Sequence, residues 1–148
     1  MRAILKYAVL ALALVVTPIV AAAEEAKPRL FVSLTTDDTW AASKAIMFAH
    51  QKAQKNGYDA AIWMNVRAVY LADKNRPSHI HGLMAEKGTS VQDMLKAFMA
   101  DGGTVIMCGA CSKAAGLTKA DYIDGVQMGN FELIESWLFD PNTKTLGW

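Results

Sequence analysis

Blocks of apolar residues alternate with polar segments along the chain and predict strands and helices in turn. Residues 29–35 form a short apolar run that predicts a buried strand. Residues 40–55 repeat small and apolar side chains on one face and stop at Asn56-Gly57, as helices often do. Residues 58–64 predict a second strand, and the short connections imply a β-α-β unit with parallel strands and a right-handed crossover.

The same alternation continues toward the carboxyl terminus. Thr89 and Ser90 are helix-capping residue types, and they precede a predicted helix over residues 91–100. A third strand, residues 104–107, runs directly into a pair of cysteines. The remaining predicted elements are a helical turn at 112–115, a second turn at 119–124, a strand at 125–128, a helix at 131–138 capped by Asn130, and a strand at 143–148.

Two segments are less regular than the rest. Residues 65–71 fit either a continuation of the second strand or a short helix, and residues 72–87 predict a polar loop. Apolar strands that alternate with helices predict an α/β fold, a three-layer α/β/α sandwich around a mainly parallel sheet of about five strands. In such a sheet, binding sites gather at the carboxyl ends of the strands.

The first 23 residues follow a different pattern, that of a cleavable export signal. Arg2 and Lys6 provide a positive start, an unbroken apolar run covers residues 7–16, and Ala21 and Ala23 suit a signal peptidase. The apolar run is shorter than the about 20 residues of a transmembrane helix. We therefore predict a signal peptide at residues 1–23, one mature domain at residues 24–148, a periplasmic or secreted location, and no stable membrane span after cleavage.

The net charge argues against nucleic-acid and membrane-surface binding, and the cysteine spacing argues against a purely stabilising disulfide. Cleavage would remove Arg2 and Lys6 and change the net charge from +1 to −1. A near-neutral chain lacks the excess positive charge that binds the phosphates of nucleic acid, and it lacks the row of basic residues that binds a membrane surface. Cys108 and Cys111 are the only cysteines, and a bond between residues so close in sequence contributes little to stability. Chemistry or metal binding explains their spacing better.

Cys108 has the surroundings expected of a reactive thiol. It follows a predicted buried strand, and the backbone amides after it favour the thiolate. Gly109 lets a ligand approach the backbone closely. A thiolate attacks sulfane sulfur or a disulfide, so Cys108 and Cys111 are the candidate catalytic residues. A thioredoxin-like fold is disfavoured because the motif falls late in the chain and Met107, rather than an aromatic residue, precedes it.

Charged residues near the predicted strand ends are candidates for binding a substrate. Lys113 and Arg67 are candidates for holding an anionic sulfur donor. Asp37 follows the first strand, where it either orients a ligand or helps to cap the next helix. His50 lies within the first predicted helix and has no recognisable partner in the sequence.

A metal site is an alternative use of the same cysteines. His79, His81, Cys108 and Cys111 are four ligands of the kinds that tetrahedral zinc takes. The H-x-H spacing places both imidazoles on one side of an extended segment. Methionine thioethers suit Cu(I) in an exported protein, although methionine is also ordinary core packing. The methionines considered for this role are Met84, Met94, Met99, Met107 and Met128.

The cysteine segment and its surroundings resemble the DsrE/DsrF-like sulfur-relay proteins. The resemblance rests on a strand that ends at Cys108-Gly-Ala-Cys111 and on Gly116, eight residues after the first cysteine. The Thr-Thr-Asp-Asp loop after the opening strand, the alanine-rich first helix and the final strand add to it. The chain departs from the family pattern at Ala115, where many members carry a basic residue before the glycine.

The resemblance implies a fold and a function. The fold is flavodoxin-like, assembled as a homo-oligomer, either trimer or hexamer, and no cofactor is implied. Cys108 matches the cysteine that carries sulfur as a persulfide, and Cys111 matches a second cysteine, here a resolving thiol. The partners implied are a sulfur donor or acceptor protein or a small sulfane-sulfur compound. A sulfurtransferase, a stoichiometric sulfur carrier and a non-catalytic oligomeric binding module, with interfaces at Trp40, Trp137 and Trp148, all stay open.

Overall fold

The computed structural model describes residues 26–80 and 82–148. The predicted signal peptide, residues 1–23, lies outside these residues. Within the described part of the chain, no helix combines the length and the apolar character that crossing a bilayer requires.

Within residues 26–80 and 82–148, five parallel strands form one sheet, in the order β4-β3-β2-β1-β5. The prediction of an α/β fold around a parallel sheet is confirmed. The three inner strands, β3, β2 and β1, are apolar runs because both faces of the sheet are covered there. The strands are β1 (Arg29–Leu34), β2 (Asp59–Met64), β3 (Thr104–Cys108), β4 (Gln127–Gly129) and β5 (Thr143–Gly147).

In the described part of the chain, four α-helices connect or cover the strands, and side-chain caps set where they begin. Asp38 accepts the Ala41 N–H at 2.8 Å and starts the first helix, whereas Ser90 and Asn130 cap the second and fourth. Gly57, with a φ of +89°, ends the turns that continue the first helix. The helices are α1 (Thr39–Met47), α2 (Val91–Ala100), α3 (Gly109–Ala114) and α4 (Phe131–Leu138).

Several segments differ from their predicted forms. α1 continues as a π-helical turn, Phe48–Ala53. Residues Val66–Ala72 form a 3-10 helix, which agrees with the short-helix alternative predicted for this segment. The predicted polar loop contains a 3-10 turn at Gly82–Lys87. α3 begins at Gly109, three residues earlier than predicted, because Cys108 itself caps it: its sulfur accepts the Cys111 N–H at 3.2 Å.

The core has two unequal parts because alternate strand residues face opposite sides of the sheet. Leu30, Val32 and Leu34 face the larger part, which α1 and α2 cover. Phe31 faces the smaller part and stacks on Trp137 of α4, with ring centroids 6.1 Å apart. Trp137 is therefore a core residue, whereas Trp40 is 64% exposed.

Candidate functional site

The two cysteines lie together at the carboxyl end of β3. Cys108 is the last residue of the strand and Cys111 lies in the first turn of α3, so their Cα atoms are 5.2 Å apart. A disulfide joins them in this structure. The arrangement is compatible with a redox-active cysteine pair, since a CxxC segment at a strand end brings both sulfurs together.

Each cysteine sulfur accepts a backbone hydrogen bond. The Cys111 N–H donates to Cys108 Sγ at 3.2 Å, and the Val66 N–H donates to Cys111 Sγ at 3.2 Å. Hydrogen bonds of this kind stabilise a thiolate over a thiol. The Ser112 hydroxyl donates to the Cys108 carbonyl at 2.8 Å and accepts from the Tyr122 hydroxyl at 2.7 Å, which fixes the turn on the core.

Val66 holds its N–H toward the sulfur from a strained backbone. Its φ is +50°, and within residues 26–80 and 82–148 no other residue except glycine has a positive φ. A β-branched residue rarely adopts this conformation, which is common at functional sites. The neighbouring backbone holds it in place, because Asn65 N–H bonds to the Leu34 carbonyl at 2.9 Å and Arg67 N–H to the Thr35 carbonyl at 3.1 Å.

Sequence reasoning missed the contribution of Val66. The segment 65–71 was ambiguous by pattern, and no residue type in it indicates a positive φ. The Val66 N–H reaches the sulfur because the chain leaving β2 is hydrogen-bonded to the end of the neighbouring strand β1, next to α3. Nothing in the local sequence could have revealed this contact between residues 45 positions apart.

A cavity of about 310 Å³ opens beside the disulfide, and Cys111 lines it together with Val66, Arg67 and Tyr70. Arg67 binds Asp37 through two hydrogen bonds, of 2.9 and 2.7 Å. The guanidinium beside it lowers the pKa of the Asp37 carboxyl, mainly through the hydrogen bond. Asp37 therefore positions Arg67 in this structure, and its predicted role toward a substrate stays a prediction.

The other predicted binding residues lie around the same turn. Lys113 is exposed on α3 and does not line the cavity beside Cys111. Gly109 packs closely against the neighbouring strand, since an added Cβ would lie 3.3 Å from the Gly129 carbonyl oxygen. Its lack of a side chain is thus needed for packing, and close approach of a ligand there stays a prediction.

The structure does not assemble the predicted metal site from the residues it describes. Across residues 26–80 and 82–148, no three His, Cys, Asp or Glu side chains come together as a metal cluster. His79 is exposed and lines a separate cavity with Asp37, Tyr70 and Arg76. His81 lies outside the described residues, so the four-ligand site stays a prediction.

Comparison with known proteins places the chain in a family. An uncharacterized protein of Methanopyrus kandleri, MK0008, is 35% identical to this chain over 46 residues. Those residues are 31% of this chain and 38% of that protein, so the match spans well under half of the relative's length. The crystal structure of the ychN protein from E. coli matches with a TM-score of 0.66 and 17% identity, over 82% of this chain and 99% of that chain, and shows the same fold. The DsrE/DsrF-like family model matches residues 29–140. Since that match covers most of the chain, the protein belongs to the DsrE/DsrF-like family.

Proposed function

We propose that this protein relays sulfur outside the cytoplasm and carries it as a persulfide on Cys108, with Cys111 as the resolving thiol. Membership of the DsrE/DsrF-like family suggests a sulfur-relay role. The observation that carries the finer proposal is the cysteine pair at the end of β3, in which each sulfur accepts a backbone N–H. Those bonds stabilise the thiolates that sulfur transfer requires.

Sulfur loading starts from the reduced cysteine pair. The Cys108 thiolate attacks the sulfane sulfur of a donor such as thiosulfate, the donor S–S bond breaks, and sulfite leaves with the electron pair. The product is a Cys108 persulfide. An acceptor thiolate then takes the outer sulfur and regenerates the Cys108 thiolate. Relay from donor to acceptor therefore needs neither an oxidant nor a reductant.

The disulfide offers a second route to the same persulfide. Bisulfide attacks Cys108 Sγ, the bond to Cys111 breaks, and Cys111 leaves as a thiolate. The Val66 N–H, 3.2 Å from Cys111 Sγ, stabilises this leaving group. In the reverse direction the Cys111 thiolate attacks Cys108 Sγ, expels bisulfide and restores the disulfide. This reaction is the one expected of a resolving thiol.

The cavity beside Cys111 suits an anionic sulfur donor or the acidic end of a partner protein. Arg67 lines it and is 65% exposed at its side chain, and it uses two of its five N–H groups on Asp37, so the others can donate to an incoming anion. Positive charge at the mouth of a site raises the local concentration of anions.

Intact-mass spectrometry tests the proposal in two arms. Reduced wild-type protein is incubated with thiosulfate, and oxidised wild-type protein with sulfide. We expect a gain of one sulfur atom over the reduced protein in the first arm and a gain of one sulfur and two hydrogens over the oxidised protein in the second. In both arms peptide mapping should locate the added sulfur on Cys108. Absence of any gain in both arms would contradict the proposal.

Two variants separate the roles of the cysteines. Cys108→Ser should abolish the gain, whereas Cys111→Ser should load from thiosulfate and retain the sulfur longer, because no thiol is present to expel it. Sulfur found on Cys111 instead would reverse the assigned roles. A Cys108→Ser protein with unchanged cellular phenotype and unchanged oligomer would favour the non-catalytic binding module.

Location is tested separately from chemistry. The predicted signal at residues 1–23 supports export, and cleavage would leave Glu24 as the first residue. Cell fractionation followed by amino-terminal sequencing should give a periplasmic or secreted protein that begins at Glu24. Full-length protein in the cytoplasm would contradict this part of the proposal.

A further inference from the structure

A second cavity lies away from the cysteines and collects three methionines and a histidine. It has a volume of about 330 Å³ and lies between α1 with its π-helical turn and α2. We call it the methionine cavity, defined by Met47, His50, Met84 and Met94, which all line it. Met94 is 6% exposed and His50 8% exposed, so the inner wall of the cavity is shielded from water.

His50 is oriented as metal-binding histidines are. Its Nε2 lies 2.6 Å from the Asp101 carboxylate, an acceptor, so Nε2 carries the proton and Nδ1 keeps its lone pair. Nδ1 accepts a hydrogen bond from the Gln51 side-chain amide at 3.2 Å, and Gln51 lines the methionine cavity, so a metal ion would replace this amide as the partner of Nδ1. A carboxylate that holds the other ring nitrogen is the usual support for a metal-bound histidine.

The backbone around His50 is also unusual. α1 widens into a π-helical turn at Phe48–Ala53, and His50 lies inside it. Such turns are rare and occur frequently at functional sites, since the extra residue redirects a side chain. The Phe98 ring then packs edge-on against the imidazole, with centroids 5.9 Å apart, and fixes the ring orientation.

The residues of the methionine cavity select one class of ligand. Thioethers and a neutral imidazole suit Cu(I), whereas Mg²⁺, Ca²⁺ and Mn²⁺ require oxygen ligands. Of the described residues that line this cavity, none carries a carboxylate. Lys87 lines it too, but it is exposed, where solvent and salt weaken its repulsion of a single positive charge.

We propose that the methionine cavity binds one Cu(I) ion through the sulfurs of Met47, Met84 and Met94 and through His50 Nδ1, from which the ion displaces the Gln51 amide. Binding involves no redox step, since the ion enters as Cu(I) and remains Cu(I). The site is independent of the sulfur chemistry, because neither Cys108 nor Cys111 lines this cavity.

Copper titration in a background without thiols tests the site. The Cys108→Ser/Cys111→Ser protein is titrated anaerobically with Cu(I) supplied as its acetonitrile complex, against the chromogenic chelator bicinchoninate. We expect one Cu(I) bound per chain. In the same protein with labelled methionine methyl groups, the NMR signals of Met47, Met84 and Met94 should shift and that of Met99 should not.

Variants show whether these side chains are the ligands. Replacing Met47, Met84 or Met94 by leucine keeps an apolar side chain of similar size, and each change should weaken Cu(I) binding. Asp101→Asn should weaken it by about 10- to 100-fold, the usual effect of losing a histidine's carboxylate support. Met99→Leu is the matched control, since Met99 is a methionine of α2 that does not line the cavity.

Three results would overturn the inference. They are the absence of chelator-resistant Cu(I) in the thiol-free chain, methyl signals of the three methionines that do not move, and equal weakening by the Met99 control. The NMR result uses no methionine variant, so a substitution that disturbs folding cannot mimic it.

Discussion

At the residue scale, Val66 is the least expected feature of the sulfur site. Its N–H donates to Cys111 Sγ from a backbone with a φ of +50°. A strained residue persists where the surrounding structure holds it, and here β1 and β2 supply that support through the backbone of Asn65 and Arg67. The strained backbone at Val66 therefore holds its N–H where it can donate a hydrogen bond to the Cys111 thiolate as that thiolate leaves.

Val66→Gly should relieve that strain while keeping the N–H. The strain costs about 1–3 kcal/mol, more than the about 0.5–1 kcal/mol entropic cost of glycine. We expect the free energy of unfolding to rise by about 1 kcal/mol, measured by urea denaturation, with sulfur loading retained. Ile80→Gly is the control, since Ile80 is also exposed but has no positive φ, and it should lower stability. Equal loss of stability in both variants would argue against strain at Val66.

Arg67 is the second residue-scale determinant, because it lines the cavity beside Cys111 and is held there by Asp37. Arg67→Gln should slow persulfide formation from thiosulfate by about tenfold, since the attraction for the anion is lost. Loading from an uncharged organic trisulfide should change little. The matched control is Lys113→Gln, which removes an exposed charge that does not line the cavity. If the loss with thiosulfate persists unchanged at high salt, an electrostatic role is excluded.

At the scale of elements, local sequence patterns predicted the strands and helices, whereas contacts between residues distant in sequence form the candidate site. The apolar runs of β1 and β3 and the caps Ser90 and Asn130 act within a few residues, so the sequence revealed them. Contacts between separate elements carry no such local signal. The Val66 N–H that reaches Cys111 and the pairing of His50 with Asp101 both belong to this kind.

Two helical caps predict how the fold responds to acid. The hydrogen bond from the Ser90 hydroxyl, and to a lesser degree the one from the Ser90 backbone N–H, lowers the pKa of Asp93 at the start of α2. Hydrogen bonds from the Thr118 backbone and hydroxyl lower the pKa of Asp121 in the same way. Because both pKa values are lower in the folded chain than in the unfolded one, the ionised caps stabilise the fold above about pH 4. That stabilisation is lost as the pH falls through the folded-state pKa values.

Urea unfolding at a series of pH values checks this expectation. The free energy of unfolding should be steady between about pH 5 and 7 with respect to these groups and should fall below about pH 4. Asp93→Asn keeps an acceptor oxygen but does not titrate, so the decline should be shallower in that variant. Asp124→Asn, an exposed aspartate outside both caps, is the control. An Asp93→Asn curve parallel to that of wild type would show that the cap does not contribute.

At the scale of the whole molecule, the two sheet faces are covered unequally. α1 and α2 bury the larger core, whereas among the described residues α4 is the helix that covers the smaller one around Phe31 and Trp137. The ends of α4 carry Phe131, 80% exposed, and Phe139, 75% exposed. Exposed aromatic residues of this size are typical of protein interfaces. This surface supports the expectation that the chain forms a homo-oligomer.

The α4 surface is therefore where we expect copies of the chain to meet. Light scattering during gel filtration of residues 24–148 should give the mass of a trimer or a hexamer. Phe131→Ser combined with Phe139→Ser should shift the protein to monomer, because both aromatic side chains would leave the interface. Ile80→Ser, which changes an apolar residue 51% exposed outside α4, should leave the assembly intact. A wild-type monomer at every concentration tested would rule out the assembly, and a double variant that stays oligomeric would place the interface on another surface.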